Sequence, residues 1–329
     1  MGRAPDAEAR RARRARLKRA AFAVFLVAVC VLLARHARTI AWDEVLDALR
    51  ALRPAAIAAA VALAAASYAL VGGFELFGRR LVGHRIPASR AWAIGATAYA
   101  FNLNLGALVG GMGLRIRLYA RHGLDAADTA KVIAISVSTN WLGYLLLAGA
   151  AFASGAVEPP EGWGVGAPAL RAAGVAMLGA FAAVLVACAR SRRRSVTVRG
   201  REWPVPTLRV ALVQAAVSAA NWLAMSTLAW VLLGARVPLP TVAAVLLTAA
   251  VAGVLTHVPA GLGVLETVFV VMLGDRIPQS TLLASLLAYR AIYYLLPLGL
   301  AALAWPLLES GASGASARSA PAGAPSDGG

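Results

Sequence analysis

The sequence predicts an all-α, polytopic integral membrane protein of about eight hydrophobic elements, built as inverted-topology repeats with two re-entrant or broken-helix hairpins. Three observations lead there. Of 329 residues, 60% are hydrophobic and only 14% charged, where a soluble domain carries about 25% charged residues. The stretches 54–74, 91–114, 132–157, 172–189, 210–235 and 237–265 contain no Lys, Arg, Asp or Glu, and an apolar run of roughly 18 residues or more reads as a membrane span. The pattern of apolar and broken segments also recurs at an offset of 150 residues.

Residues 1–19 form a basic cytoplasmic N-terminal segment, with eight Lys or Arg side chains against Asp6 and Glu8. The apolar stretch 20–34 follows. A signal peptide would need a small-x-small cleavage site, but the exit reads Ala34-Arg35-His36-Ala37-Arg38, so a retained anchor is expected. Thr39 to Leu52 places Asp43, Glu44 and Asp47 opposite its apolar residues, which predicts an interfacial helix. A transmembrane domain is expected over 20–308, and the Gly/Ala/Ser/Pro-rich tail 309–329 is expected to be disordered.

Basic residues collect in short cytoplasmic loops. Loop 190–209 holds seven arginines, whereas 154–168 holds none and carries Glu158 and Glu161; the first is expected inside, the second outside. The N-terminus is then cytoplasmic, as is the C-terminus. Loops 79–90 and 112–131, each with four basic residues, both fall inside, so 91–111 cannot be a single crossing unless the charge rule fails once. Its sequence AYAFNLNLGALVGGMG, with Asn102, Asn104, Gly106, Gly110, Gly111 and Gly113, favours a re-entrant hairpin, because irregular backbone at membrane depth needs protein or a wet cavity around it. The alternative is a packed span in which Gly106 and Gly110 form a small-xxx-small contact.

A second break, THVPAGLGVLE, holds His257, Pro259, Gly261 and Gly263. The offset of 150 lays Gly111 and Gly113 on Gly261 and Gly263, and carries 20–34, 54–78 and 132–153 onto apolar segments at 170–184, 204–228 and 282–303. Repeat 1 is thus about 20–153 and repeat 2 about 170–308, in opposite orientations. Interrupted helices in equivalent positions of inverted repeats point to a transport site.

An ionisable residue inside the apolar layer costs about 2.5–3.5 kcal/mol on insertion scales. Glu75, Arg115, Arg117, Glu266 and Arg290 qualify. Glu75 is within reach of an ion pair with Arg79 or Arg80; Arg115 and Arg117 have a bland reading as boundary markers, and Glu266 and Arg290 as a mutual ion pair. Only Lys18 and Lys131 are lysines, so the cationic chemistry is guanidinium, whose planar fork matches phosphate. Asn102, Asn104, Asn140, Asn221 and His257 offer neutral hydrogen bonds along a wet path, or polar contacts between helices. The substrate-binding candidates are therefore Asn102, Asn104, Arg115, Arg117, His257, Glu266 and Arg290, with Gly110, Gly111, Gly113, Pro259, Gly261 and Gly263 as structural breaks. Tyr289, Tyr293, Tyr294 and Trp305 are expected to pack.

No phosphate-binding G-x-x-x-x-G-K-[ST] loop, H-E-x-x-H or G-x-S-x-G occurs, and Cys30 and Cys188 lack partners at metal-ligand spacing. No catalytic residue, cofactor or metal is expected. The basic residues lie between apolar segments rather than on one face, which excludes nucleic acid as a partner.

FNLNLGALVGGMGLRIRLYARHGL (101–124), HVPAGLGVLETVF (257–269) and YRAIYYLLPLGLA (289–301) together resemble the lysylphosphatidylglycerol synthase transmembrane-region family, the flippase-like membrane domain also found as stand-alone bacterial inner-membrane proteins. The resemblance implies importance for Arg115, Arg117, Pro259, Gly261, Gly263, Glu266 and Arg290. It implies a transporter half without the synthase half, and so no enzyme. The expected function is a translocase of a phospholipid or aminoacylated phospholipid, with membrane phospholipids as partners. The alternatives are a non-transporting scaffold for a separate synthase or envelope enzyme, a membrane-embedded enzyme whose sole acid-base pair would be His257 and Glu266, and a small-solute transporter.

Overall fold

The computed structural model describes residues 42–156, 159, 166–191, 195–198, 200–256, 258 and 261–310. The expected anchor at 20–34, His257 and Pro259 lie outside them, as does the tail beyond Ser310. The chain divides into two compact units, Met1–Asp47 and Ala48–Gly329. Helix α1 (Trp42–Arg50) has Asp43 and Glu44 in its first turn and Arg50 in its last, which complements the helix dipole.

The second unit is a helical bundle. Helix α2 (Pro54–Val82) starts with proline in its first turn and stops at Gly83, whose φ of 81° and N–H bond to the Arg79 carbonyl close the last turn, a left-handed ending that glycine adopts without strain. Helix α3 (Ala88–Leu105) runs to Gly106, where φ 83° and ψ 166° form a conformation essentially confined to glycine. A π-helical turn (Ala107–Gly113) and helix α4 (Leu114–Arg121) follow.

This segment is a hairpin. Ile86, just before α3, and Ile94 and Ala98 within it share one apolar cluster with Leu114, Leu118 and Tyr119 of the returning limb, so both ends of the segment come together. The turn is tight because Gly110 lies against the Phe101 carbonyl; a Cβ there would overlap that carbonyl and stand 2.8 Å from the Asn102 nitrogen. The reading of Gly106 and Gly110 as a contact on a packed span is thereby replaced: one glycine is the bend and the other permits the return.

Helix α5 (Ala126–Ala153) is capped by the Asp125 side chain, which accepts the Asp128 N–H at 2.7 Å. Helix α6 (Ala167–Arg190) crosses it at Gly149 and Gly174, where a Cβ on Gly174 would stand 2.8 Å from the Gly149 carbonyl; small residues let helices approach this closely in membranes. A β-hairpin, β1 (Ser195–Val198) and β2 (Arg201–Pro204), pairs Val196 with Trp203 inside the stretch read from sequence only as a basic loop.

Helix α7 (Leu208–Leu232) takes its N-cap from Thr207. Helix α8 (Leu239–Thr256), the second break and helix α9 (Val264–Leu273) follow. Helix α10 (Gln279–Arg290), a π-helical turn (Ala291–Leu295) and helix α11 (Leu296–Ser310) close the bundle. Glu309 and Ser310, expected in the tail, instead complete α11, because Glu309 is held by Arg117 at 2.7 Å. The main core lies among α2, α5, α7, α8, α9 and α10, around Tyr144, Trp222, Leu228, Leu247, Phe269 and Leu286.

The element order repeats. Helices α7, α8, α9 and α10 begin 150 to 154 residues after α2, α3, α4 and α5. The equivalent helices α2 and α7 are antiparallel: Phe77 and Leu81 near the end of α2 line one cavity with Val210 and Val213 at the start of α7, while Ser67 meets Asn221 midway. The two halves therefore run in opposite directions through the bundle. Six helices among the described residues are long and apolar enough to cross a membrane: α2, α5, α6, α7, α8 and the continuous stretch Gln279–Glu309.

Candidate functional site

Each break is closed by an arginine–glutamate pair. In the first half, Glu75 of α2 is fully buried and Arg115 of α4 is 8% exposed. Arg115 Nε donates to Glu75 Oε1 at 2.7 Å, and the Tyr119 hydroxyl donates to Glu75 Oε2 at 2.7 Å. Arg115 Nη1 also donates to the Gly111 carbonyl at 3.3 Å. Gly95 of α3 makes room, since a Cβ there would overlap the Glu75 side chain. Sequence spacing offered Glu75 the adjacent Arg79 or Arg80. Arg79 instead donates from Nε to the Ile86 carbonyl, and the hairpin brings Arg115 to Glu75 across forty positions.

In the second half, Arg290 at the end of α10 grips Glu266 of α9 with two donors, Nε to Oε1 and Nη2 to Oε2, the latter at 3.0 Å. Nη2 also donates to the Gly261 carbonyl at 2.9 Å. The mutual ion pair offered as the bland reading of these residues is present. Gly111 and Gly261 are the positions related by the 150-residue offset, and each gives its carbonyl to a guanidinium. The charges are exchanged: the arginine sits on the returning limb in the first half, the glutamate in the second.

A seam of tyrosines lies between. Pro297 has no N–H, so the Tyr293 carbonyl one turn earlier lacks its helical donor; the Tyr68 hydroxyl supplies one at 3.2 Å. Asn104 Nδ2 donates to the neighbouring Tyr294 carbonyl at 3.1 Å. Ser67 joins Asn221 Oδ1 at 2.5 Å and the Tyr293 hydroxyl at 2.7 Å, which in turn meets the Tyr99 hydroxyl at 3.2 Å. Tyr289 stacks on Tyr293, and the Arg290 guanidinium lies 5.2 Å from the Tyr294 ring. The tyrosines pack, as expected, but their hydroxyls also hydrogen-bond Tyr99 of the first hairpin to Tyr293, and ring contacts complete the way to Arg290. Ser67, Tyr68, Tyr99 and Tyr119 were invisible as site residues, because polar side chains scattered singly on apolar helices carry no spacing signal.

The other candidates divide. Asn104 joins the seam. Asn102 packs its side chain on Gly111, 2.7 Å from where a Cβ would stand. Gly110 and Gly111 form the close approach of the first break, and Gly113 ends its π-helical turn. Gly261 and Gly263 take positive φ at the second. Arg117 leaves the site: two positions beyond Arg115 on a helix it faces away, pairs with Glu309, and stands 54% exposed over Trp305. Exposed ion pairs contribute about 0–1 kcal/mol; Arg117→Ala is expected to change thermal stability little, measured as a midpoint within about 2 °C of wild type.

His84, in the loop after α2, packs edge-on to Tyr119 at 5.7 Å. Burial, and then the Arg79 guanidinium, lower its pKa from 6.5, against smaller opposing effects of Glu75 and Asp128. The folded state thus binds its proton less readily than the unfolded chain. The resulting stability is present above the unfolded value and lost as pH falls below about 6.5. Between pH of about 7.5 and 5.5 the melting temperature of wild type should fall further than that of His84→Gln; parallel curves would remove His84 from the pH response.

Residues 20–301 match the family described as "Lysylphosphatidylglycerol synthase TM region". Inner membrane protein YbhN of Escherichia coli (strain K12) is 41% identical over 284 residues, 86% of this chain and 89% of the relative. Uncharacterized protein slr0712 of Synechocystis sp. is 28% identical over 273 residues, 82% of this chain and 84% of the relative. The two broken hairpins thus sit within the matched region, and the chain belongs to the lysylphosphatidylglycerol synthase transmembrane-region family as a multi-pass inner-membrane protein.

Proposed function

We propose that this protein translocates an anionic phospholipid, or its aminoacylated form, between the leaflets of the inner membrane. The observation that carries the reading is the pair of arginine–glutamate locks on the equivalent carbonyls of Gly111 and Gly261, closing hairpins that run in opposite directions. A buried guanidinium cannot be left bare without a penalty of several kcal/mol. A lipid phosphate offers the same bidentate acceptor as a carboxylate, so it exchanges with glutamate at constant charge pairing. The displaced carboxylate of Glu75 or Glu266 is then free to answer an ammonium on an aminoacylated headgroup.

The tyrosine seam supplies hydroxyl groups in the region between the two locks as the halves separate. An apolar groove of about 310 Å³ beside it, lined by Tyr68, Trp92, Ala96, Leu296, Pro297 and Leu300, suits acyl chains. Rocking of the inverted halves switches access. With the basic loops on the cytoplasmic side, the first hairpin and both termini face the cytoplasm.

The test is translocation of headgroup-labelled phosphatidylglycerol in proteoliposomes, read by quenching of the outer leaflet. Wild type is expected to exceed protein-free vesicles, and Arg290→Lys to fall by about tenfold, because an ammonium keeps the charge but loses the planar fork. Rates equal to empty vesicles for phosphatidylglycerol, its lysyl ester and phosphatidylethanolamine would sink the proposal.

A further inference from the structure

The end of α2 and the start of α7 splay around a cavity of about 670 Å³ whose lining shares no residue with the two locks or the tyrosine seam. Its walls are mostly apolar (Phe77, Leu81, Val210, Val213), with Thr207 and two arginines, Arg80 and Arg209, as the polar side chains. Both are exposed, and among the described residues no carboxylate pairs with either, whereas Arg115, Arg117 and Arg290 each hold a glutamate. The apolar surface continues outward from the cavity through Leu76, Leu208 and Leu212, which stand 36%, 37% and 47% exposed. A soluble anion would satisfy the guanidiniums and leave that surface bare.

We infer that this cavity seats one anionic phospholipid, its phosphodiester held by Arg80 and Arg209 and an acyl chain lying along α2 and α7. Two guanidiniums supply charge-assisted donors to the phosphate oxygens, and the walls take acyl methylenes out of water. Arg80 in the last turn of α2 and Arg209 in the first turn of α7 adjoin the basic loops that the charge rule places in the cytoplasm, so the seat opens to the inner leaflet. As a binding site it stands alone; as an entry station for substrate it rests on the translocase reading.

Native mass spectrometry of the full chain, titrated with dioleoyl phosphatidylglycerol or phosphatidylcholine, tests it. Wild type should retain one phosphatidylglycerol in preference to phosphatidylcholine, and Arg80→Ala/Arg209→Ala should retain it about tenfold more weakly. Arg80→Gln/Arg209→Gln, which keeps the side-chain bulk at these exposed positions, should lose it equally. Equal retention by the variants, equal binding of the two lipids, or displacement by millimolar glycerol phosphate would each overturn the site. The same variants in the vesicle assay separate the two claims. Selective binding by a wild-type protein that moves no lipid supports the seat and defeats the translocase, while lost binding with an unchanged translocation rate overturns the entry role.

Discussion

Replacing Glu75 by alanine is expected to collapse the first hairpin onto an unpaired guanidinium. Glu75 is fully buried and accepts from both Arg115 and Tyr119, so its removal strands a buried cation and a hydroxyl at once. Breaking one side of a buried pair costs about 3–5 kcal/mol, and at about 2–4 °C per kcal/mol the melting temperature should drop by roughly 10 °C or more. Arg115→Met alone should be about as damaging, because it strands the carboxylate. The double variant Glu75→Gln/Arg115→Met removes both charges together, and such swaps are often neutral; it should recover most of the stability in a thermal melt. In the vesicle assay it should nevertheless stay slow, since no guanidinium remains at Gly111 to receive a phosphate. A double variant as unstable as Glu75→Ala would mean that the pair was not the source of the loss.

The second large effect is expected at Gly110. An alanine methyl there would run into the Phe101 carbonyl and the Asn102 backbone nitrogen, and backbone, unlike the end of a flexible side chain, cannot swing aside. The returning limb would have to move away from α3, pulling Arg115 from Glu75 as it goes. Overpacking of a tight site costs about 1–3 kcal/mol, occasionally more; Gly110→Ala should lie at the top of that range and expose Arg115 to solvent. Gly73→Ala is the control: a Cβ at Gly73 meets nothing within 4 Å, and in mid-helix alanine is favoured over glycine by up to about 1 kcal/mol. Equal melting temperatures for the two variants would show that the hairpin closes without the Phe101–Gly110 approach.

Composition and hydropathy alone were enough for the helical class, the six spans among the described residues and both breaks, because the cost of a charge or a loose peptide group in hydrocarbon is paid locally and so is written in consecutive residues. The repeat was legible for the same reason: glycines and apolar runs recur along the chain whatever they touch. Pairing was a different matter. Glu75 had basic neighbours four and five positions away, yet its partner is Arg115, because burial against Gly95 and the return of α4 decide which guanidinium reaches it. Arg115 and Arg117 looked equivalent, and helix geometry sends one into the interior and the other out to Glu309. The tyrosine seam depends on the Tyr293 and Tyr294 carbonyls meeting Tyr68 and Asn104, donors 225 and 190 positions away in the chain. Local solvation energies are a property of the strand of residues itself; which buried polar groups satisfy one another is settled only when distant helices pack, because a hydrogen bond depends on ångström distances that sequence order does not carry.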